Sequence, residues 1–197
     1  MSIKISAFDA YWIEKSEKKY YALPTDEWVK QWFCAASGGF VAAHVKKTVD
    51  NMTRNGIAAE VRGCMSLAKM GKHVLRLPEN IPNLIDEIFI EGKPYRELLK
   101  FRIGETKPRG YPDVYFDGQT WDFKAPTYQN VDSVRQLIKE SRKADNVIFV
   151  VSNFYDIAAV HSAIGRECGR RKGSVTLNEL PNVYYLLENQ LTEIWIK

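Results

Sequence analysis

The chain is poor in the features that mark export, membrane insertion or zinc-finger folds. Its 197 residues contain no apolar run near the roughly 20 residues of a membrane-spanning helix, and the N-terminus lacks the apolar stretch of a signal peptide. The three cysteines, Cys34, Cys64 and Cys168, are widely spaced and match neither a disulfide framework nor a zinc-ligand pattern. These absences predict a soluble, cytoplasmic chain with reduced thiols, no export signal of its own and no membrane partner.

The chain does have enough apolar sequence for one sizeable core, since 45% of its residues are hydrophobic and 12% are aromatic. Val147–Ser152 is a continuous apolar run typical of a buried strand, and a helical pattern follows from about Asp156. Another helical pattern begins at Val131, and a hairpin across Glu188–Gln190 closes the chain. This alternation predicts an α/β fold with a central mixed β-sheet flanked by helices.

The most informative stretch is Tyr111–Pro126, YPDVYFDGQTWDFKAP, which predicts a β-hairpin. Asp117-Gly118 readily adopts the positive φ angles of a type I′ turn between two runs of β-branched and aromatic residues. A two-residue turn places Asp113 directly opposite Asp122, with Lys124 further along the same face. The other face carries four apolar side chains, those of Val114, Phe116, Trp121 and Phe123.

Two carboxylates opposed across strands repel each other, so the charged face of this hairpin predicts a bound divalent cation. Oxygen ligands suit one or two Mg²⁺ or Mn²⁺ ions. Such a metal polarises a phosphoryl oxygen and lowers the pKa of bound water, while Lys124 would position the water or stabilise the transition state. The residues therefore indicate a phosphodiester hydrolase. The alternative is an ordinary amphipathic hairpin with a solvated charged face.

Pro112-Asp113 followed by Asp122-Phe123-Lys124 resembles the PD-(D/E)XK pattern of a phosphodiesterase superfamily that includes restriction endonucleases. About residues 37 to 160 are similar to the C-terminal nuclease toxins of contact-dependent growth inhibition proteins and related polymorphic toxins. The segments that carry this similarity are Gly38-Gly39-Phe40-Val41 with His44, Glu60 with Leu67-Ala68-Lys69 and Gly71, and Lys143 to Ile148. The resemblance implies a restriction-endonuclease-like core and metal-dependent endonuclease activity.

The metal ligands that the resemblance implies are Glu60, Asp113, Asp122 and the backbone carbonyl of Phe123, with Lys124 as a further catalytic residue. The position of Glu60 has independent support. In the helical segment Met52–Met70, which Gly71 would end, Glu60 lies on the flank of an apolar stripe and points towards the protein. The alternative is a glutamate that extends to the surface.

The resembled toxins usually cleave tRNA and are each neutralised by an immunity protein, so we expect a tRNA-cleaving toxin domain of an interbacterial competition system with a cognate immunity protein. The alternatives are a DNA endonuclease of phage or mobile-element origin, and a module on the same fold that binds nucleic acid or a partner without cleaving. Candidate substrate contacts are His44, Lys107, Arg109, Thr127, Gln136, Lys139, Arg170 and Arg171. The net charge of +4 is mildly basic, and each basic cluster can also be a solvated helix face.

The predicted nuclease domain covers residues 37–197, and two segments of the chain lie outside its expected core. Residues 1–36 are rich in aromatic side chains and are predicted to form an extension packed on the core, as a helical cap or as a platform for bases. Residues 78–110 are interrupted by proline and glycine, and the resembled toxins usually cross from first strand to hairpin more briefly. This segment is therefore predicted to be an insertion that could shape substrate choice.

Overall fold

In the part of the chain that the structure describes, eight strands form one mixed sheet, with helices packed on both of its faces. The structure, a computed structural model, describes residues 28–47, 54–125, 130–151, 154–171 and 179–196. In chain order its elements are β1 (Trp28–Phe33), β2 (Phe40–His44), α1 (Arg54–Lys69), β3 (His73–Arg76), β4 (Phe89–Ile90), β5 (Lys93–Pro94), the one-turn helix α2 (Tyr95–Leu98), β6 (Val114–Phe116), β7 (Gln119–Lys124), α3 (Val131–Glu140), a 3₁₀ turn (Ser141–Lys143), β8 (Asn146–Val151), α4 (Phe154–Arg171), β9 (Asn182–Leu187) and β10 (Gln190–Trp195).

The sheet has the strand order β1-β2-β3-β6-β7-β8-β9-β10. The pairs β2/β3, β7/β8 and β8/β9 are parallel, and the other neighbours are antiparallel. Parallel neighbours need a crossover connection, and the helices α1, α3 and α4 lie in the three connections concerned. The prediction of an α/β fold with a central mixed sheet is therefore confirmed.

The two faces of the sheet carry different layers. Helix α1 covers one face, where Val61 and Leu67 belong to the same buried cluster as Phe116. On the opposite face α3 and α4 pack over β8 and β9, and residues 78–110 pack over β2, β3 and β6. Both layers exclude water from the central strands, so a charged residue on those strands needs a partner within the protein.

Helix α1 approaches the sheet closely because glycines lie at its contacts. A Cβ atom added to Gly63 would lie 2.3 Å from the ring of Phe123, and one added to Gly39 would lie 2.0 Å from the carbonyl oxygen of Ala68. At the end of the helix, Gly71 has a φ of 85° and its N–H bonds to the Ala68 carbonyl, as expected of the predicted helix terminator. The close approach holds the helical residue Glu60 near the strands.

The described part of the aromatic-rich segment is 28–36, where Trp28–Phe33 form the edge strand β1 and no helix occurs. Trp28 is buried there, so its ring contributes to packing. Residues 78–110 form the small β4/β5 hairpin, the helix α2 and a loop closed by pairing of Phe101 with Pro108. Ile88 and Tyr95 of this segment enter the core. In the part of the chain described, every helix is too short or too polar to cross a membrane.

Candidate functional site

The central hairpin forms with the predicted register. Asp117 and Gly118 have φ angles of 51° and 76°, and Val114 pairs with Trp121. The side chains predicted for the apolar face all enter the core beneath α1; they are Val114, Phe116, Trp121 and Phe123. The N–H of Asp113 donates to the Trp121 carbonyl at 3.0 Å, which continues the pairing one residue beyond β6. The predicted separation into an apolar and a charged face is confirmed.

Asp113 and Asp122 come together around one ammonium group. The Nζ atom of Lys143 lies 3.1 Å from Asp113 Oδ1 and 2.8 Å from Asp122 Oδ1. The Nζ atom of Lys124 lies 2.9 Å from Asp122 Oδ2, and that oxygen also accepts a hydrogen bond from Ser141 Oγ at 2.5 Å. We call Asp113, Asp122, Lys124 and Lys143 the aspartate site. Both of its carboxylates are buried.

Lys143 and Ser141 are site residues that the sequence patterns do not single out. Both belong to the 3₁₀ turn that follows α3, and the parallel pairing of β7 with β8 brings this turn to the aspartates. Two signals could have identified Lys143. A buried pair of carboxylates needs a cation, and Lys143 begins one of the segments that resemble the toxins.

The surroundings shift the pKa values of the two aspartates in opposite directions. Burial alone would raise the pKa of Asp113, but nearby ammonium groups, that of Lys143 foremost, hold it well below its usual value. The N–H of Phe123, which donates to Asp113 Oδ2 at 2.8 Å, acts in the same direction. Burial, and then repulsion from Asp113, raise the pKa of Asp122. Asp113 is therefore the stronger acid of the pair.

Glu60 belongs to a second group of charges beneath α1. Its Oε1 atom accepts a hydrogen bond from Arg76 Nε at 2.8 Å and lies 3.3 Å from Lys47 Nζ. Lys47 also pairs with Glu79, and Arg76 Nη1 donates to Gln31 of β1 at 2.7 Å. We call Glu60, Arg76, Lys47 and Glu79 the glutamate site. Glu60 is buried, as its predicted orientation towards the protein requires.

The aspartate and glutamate sites are close to each other, but their carboxylates do not form one set of metal ligands. The charge of Lys47 also lowers the pKa of Asp113, so the sites influence each other. Among the residues described, no three His, Cys, Asp or Glu side chains form a group that could hold a metal ion. The structure therefore brings Asp113 and Asp122 together and leaves Glu60 apart from them. Because each site has two acids and two bases, the eight residues are neutral as a whole.

The two carboxylates of the aspartate site could together hold a divalent cation. Oxygens from two strands converge on one position, and Mg²⁺ is usually held by one or two carboxylates with water completing its shell. The Oε2 atom of Glu60 is buried and has no hydrogen-bond partner among the described residues, so it could accept a bond from one further donor, such as a water molecule. The N–H of Phe123 is used by Asp113, and its carbonyl as a metal ligand stays a prediction.

The predicted substrate contacts His44 and Arg109 already interact within the protein. His44, at the end of β2, is buried, lies edge-to-face against the ring of Trp28, and accepts a hydrogen bond at Nδ1 from the N–H of Lys46 at 3.1 Å. The guanidinium of Arg109 donates to both carboxylate oxygens of Glu179, at 2.9 and 3.2 Å. To contact a phosphate, Arg109 would have to leave this pair.

The remaining predicted contacts are paired, exposed or outside the described residues. Lys139 Nζ lies 3.6 Å from Glu167 Oε1, between α3 and α4. Gln136 and Lys107 are exposed. The predicted contacts that fall outside the description are Thr127 and the side chains of Arg170 and Arg171.

Comparison with protein-family models, with curated proteins and with solved structures finds no match. The function of the chain is therefore inferred from the geometry of the aspartate and glutamate sites.

Proposed function

We propose that this chain is a metal-dependent endonuclease built on a restriction-endonuclease-like core. The observation that carries the proposal is the convergence of Asp113 Oδ1 and Asp122 Oδ1 on one cationic position inside the protein. Burying two carboxylates side by side costs desolvation and repulsion, and apolar residues of similar volume often stabilise a fold as well or better. Metal-assisted phosphodiester hydrolysis gives such a pair a use, since two carboxylates can hold the cation that activates water and polarises the phosphoryl oxygen.

The two aspartates, Lys124 and Glu60 have distinct roles in this proposal. Asp113 and Asp122, with the Phe123 carbonyl, would hold Mg²⁺ or Mn²⁺, which when bound polarises a phosphoryl oxygen and acidifies water. Lys124 extends from the same strand as Asp122, and its partly exposed ammonium can donate to a phosphate and stabilise charge in the transition state. Glu60, held by Arg76, would orient a water molecule through its second carboxylate oxygen.

We propose tRNA as the substrate, in a toxin domain of an interbacterial competition system that has a dedicated immunity protein. The toxin-like segments support this choice, because they contain Glu60 of the glutamate site and Lys143 of the aspartate site. Exposed basic residues such as Lys107 would contact phosphates. A DNA endonuclease of phage or mobile-element origin would use the same chemistry and is the second choice of substrate class.

The second candidate function is that of a non-catalytic module that binds nucleic acid or a partner protein. One observation favours it: both aspartates are already paired with lysines, so the site is neutral without a metal. A site of this kind could hold the sheet together and leave recognition to the surface. Cleavage assays distinguish the two classes.

The assay incubates the protein with total RNA or plasmid DNA, in Mg²⁺, in Mn²⁺ or in chelator. We expect tRNA cleavage that requires metal and that falls about 100-fold or more in Asp122→Asn and in Lys124→Met, because losing one stabilising group costs about 3–4 kcal/mol in the transition state. The matched controls Asp86→Asn and Lys93→Met alter exposed residues and should retain activity. Cleavage that persists in chelator or in both site variants contradicts the mechanism, and binding without cleavage selects the non-catalytic module.

A further inference from the structure

The ammonium of Lys143 lies at the point on which the two aspartates converge. It is 3.1 Å from one Oδ1 atom and 2.8 Å from the other. A Mg²⁺ ion held by the same two oxygens would lie about 2.0–2.1 Å from each. An ammonium and a metal ion cannot share this position, because both are cations and both need the same lone pairs.

Lys143 can leave the position by rotation of its side chain. The residue ends the 3₁₀ turn, and its side chain is 19% exposed, so part of the side chain already contacts solvent. Its stem packs along Gly110, where an added Cβ atom would lie 3.2 Å from the Lys143 Cδ atom. A lysine stem is long and flexible, so such a rotation needs no change of the backbone.

The other contacts of the aspartate site do not depend on Lys143. Lys124 and Ser141 contact Asp122 Oδ2, and the Phe123 N–H contacts Asp113 Oδ2. Both Oδ1 atoms are therefore the ones released when the Lys143 ammonium departs. The ammonium would regain its hydration in solvent, which offsets part of the cost of moving it.

We propose that Lys143 is an internal competitor of the metal: its ammonium bridges Asp113 and Asp122 when no divalent ion is bound, and an ion enters only by displacing it. The inference rests on the proposed function for the role of the ion in catalysis. It adds that Lys143 sets the metal affinity of the site and keeps the carboxylates paired in the metal-free protein.

Mn²⁺ binding tests this proposal in the full chain. Free Mn²⁺ is measured by electron paramagnetic resonance during titration of the wild type, of Lys143→Met and of the exposed control Lys93→Met. If the bridged state is populated above about 90%, removing the competitor tightens the apparent dissociation constant about tenfold or more. The control should match the wild type. Equal or weaker Mn²⁺ binding by a folded Lys143→Met, or no binding by any of the three, overturns the proposal.

A second measurement uses only the wild type, in case Lys143→Met does not fold. The protein is treated briefly with an amine-acylating reagent, with Mn²⁺ or with chelator, and modification is quantified by mass spectrometry. Displacement by Mn²⁺ should raise acylation of Lys143 severalfold and leave that of Lys93 unchanged. Unchanged acylation of Lys143 with Mn²⁺ bound overturns the proposal. Competition without cleavage of any substrate would overturn the proposed function alone, and metal-dependent cleavage without competition would overturn this inference alone.

Discussion

The aspartate and glutamate sites both bury carboxylates, but they neutralise them in different ways. Asp113 and Asp122 are contacted by lysine ammonium groups, which are compact charges at the ends of flexible stems. Glu60 is contacted by Lys47 but is also held by the planar guanidinium of Arg76, which reaches Gln31 on the edge strand. The difference indicates that the aspartate site can exchange its cation, whereas the glutamate site is a fixed support between α1, β1 and β3.

Arg76→Ala has the largest expected effect, and it tests whether the glutamate site is a fixed support. It would leave the buried carboxylate of Glu60 with Lys47 as its one remaining charged contact among those described. Removing one partner of a buried ion pair typically costs about 3–5 kcal/mol. We therefore expect a loss of that size in the free energy of unfolding, measured by urea denaturation followed by circular dichroism.

The matched control for this test is Arg96→Ala, which breaks an exposed pair with Asp86. Exposed pairs contribute about 1 kcal/mol or less, so this variant should remain close to the wild type. If both arginine variants lose the same small amount, Glu60 is not held as the structure indicates, and the contrast between the sites fails.

Gly63→Ala tests the spacing between α1 and the sheet, on which the position of Glu60 depends. The added Cβ atom would lie 2.3 Å from the ring of Phe123, so the helix or the ring must move. Overpacking of this kind costs about 1–3 kcal/mol. We expect a loss of that size in the unfolding free energy and reduced cleavage, since both Glu60 and Phe123 would shift.

Gly165→Ala is the control for this substitution. Gly165 is an exposed residue of α4, and an added Cβ atom there meets nothing within 4 Å. Alanine is favoured over glycine inside a helix by roughly 0.5–1 kcal/mol, so the control should be as stable as the wild type or more stable. A stabilising Gly63→Ala would contradict the close packing of α1.

The parts of this architecture that the sequence predicts are those determined by neighbouring residues. The Asp117-Gly118 turn and strict alternation determine which side chains of the hairpin share a face, and Gly71 ends α1 because it adopts a positive φ. Periodicity likewise places Glu60 on the protein side of its helix. These features need no knowledge of distant contacts.

The partners of the carboxylates could not be predicted in the same way. Lys143 reaches the aspartates only because β8 pairs with β7 in parallel and α3 has the length that returns the chain to that point. Arg76 reaches Glu60 through the placement of β3 beside β2 and beneath α1. Such contacts depend on the register of separate strands, which no local pattern in the chain determines.

The smallest effect that we expect is a difference in stability between a variant of Asp113 and a variant of Asp122. The pKa of Asp113 is lowered by folding, so its contribution to stability is present above its ordinary pKa of about 4 and is lost as the pH falls through the lower folded value. The pKa of Asp122 is raised, so its ionisation reduces stability as the pH rises from about 4 through the folded value.

At pH 7 we therefore expect Asp113→Asn to be less stable than Asp122→Asn, by about 1 kcal/mol or more. The comparison uses urea unfolding of both variants, in chelator, at pH 7 and below pH 4. The gap should narrow at the lower pH, because the stability that ionised Asp113 contributes is progressively lost as the pH falls below its ordinary pKa of about 4 towards the lower folded value. Equal stabilities at pH 7, or a less stable Asp122→Asn, would show that the lysines do not distinguish the two carboxylates, and Lys143 would then bridge a symmetric pair.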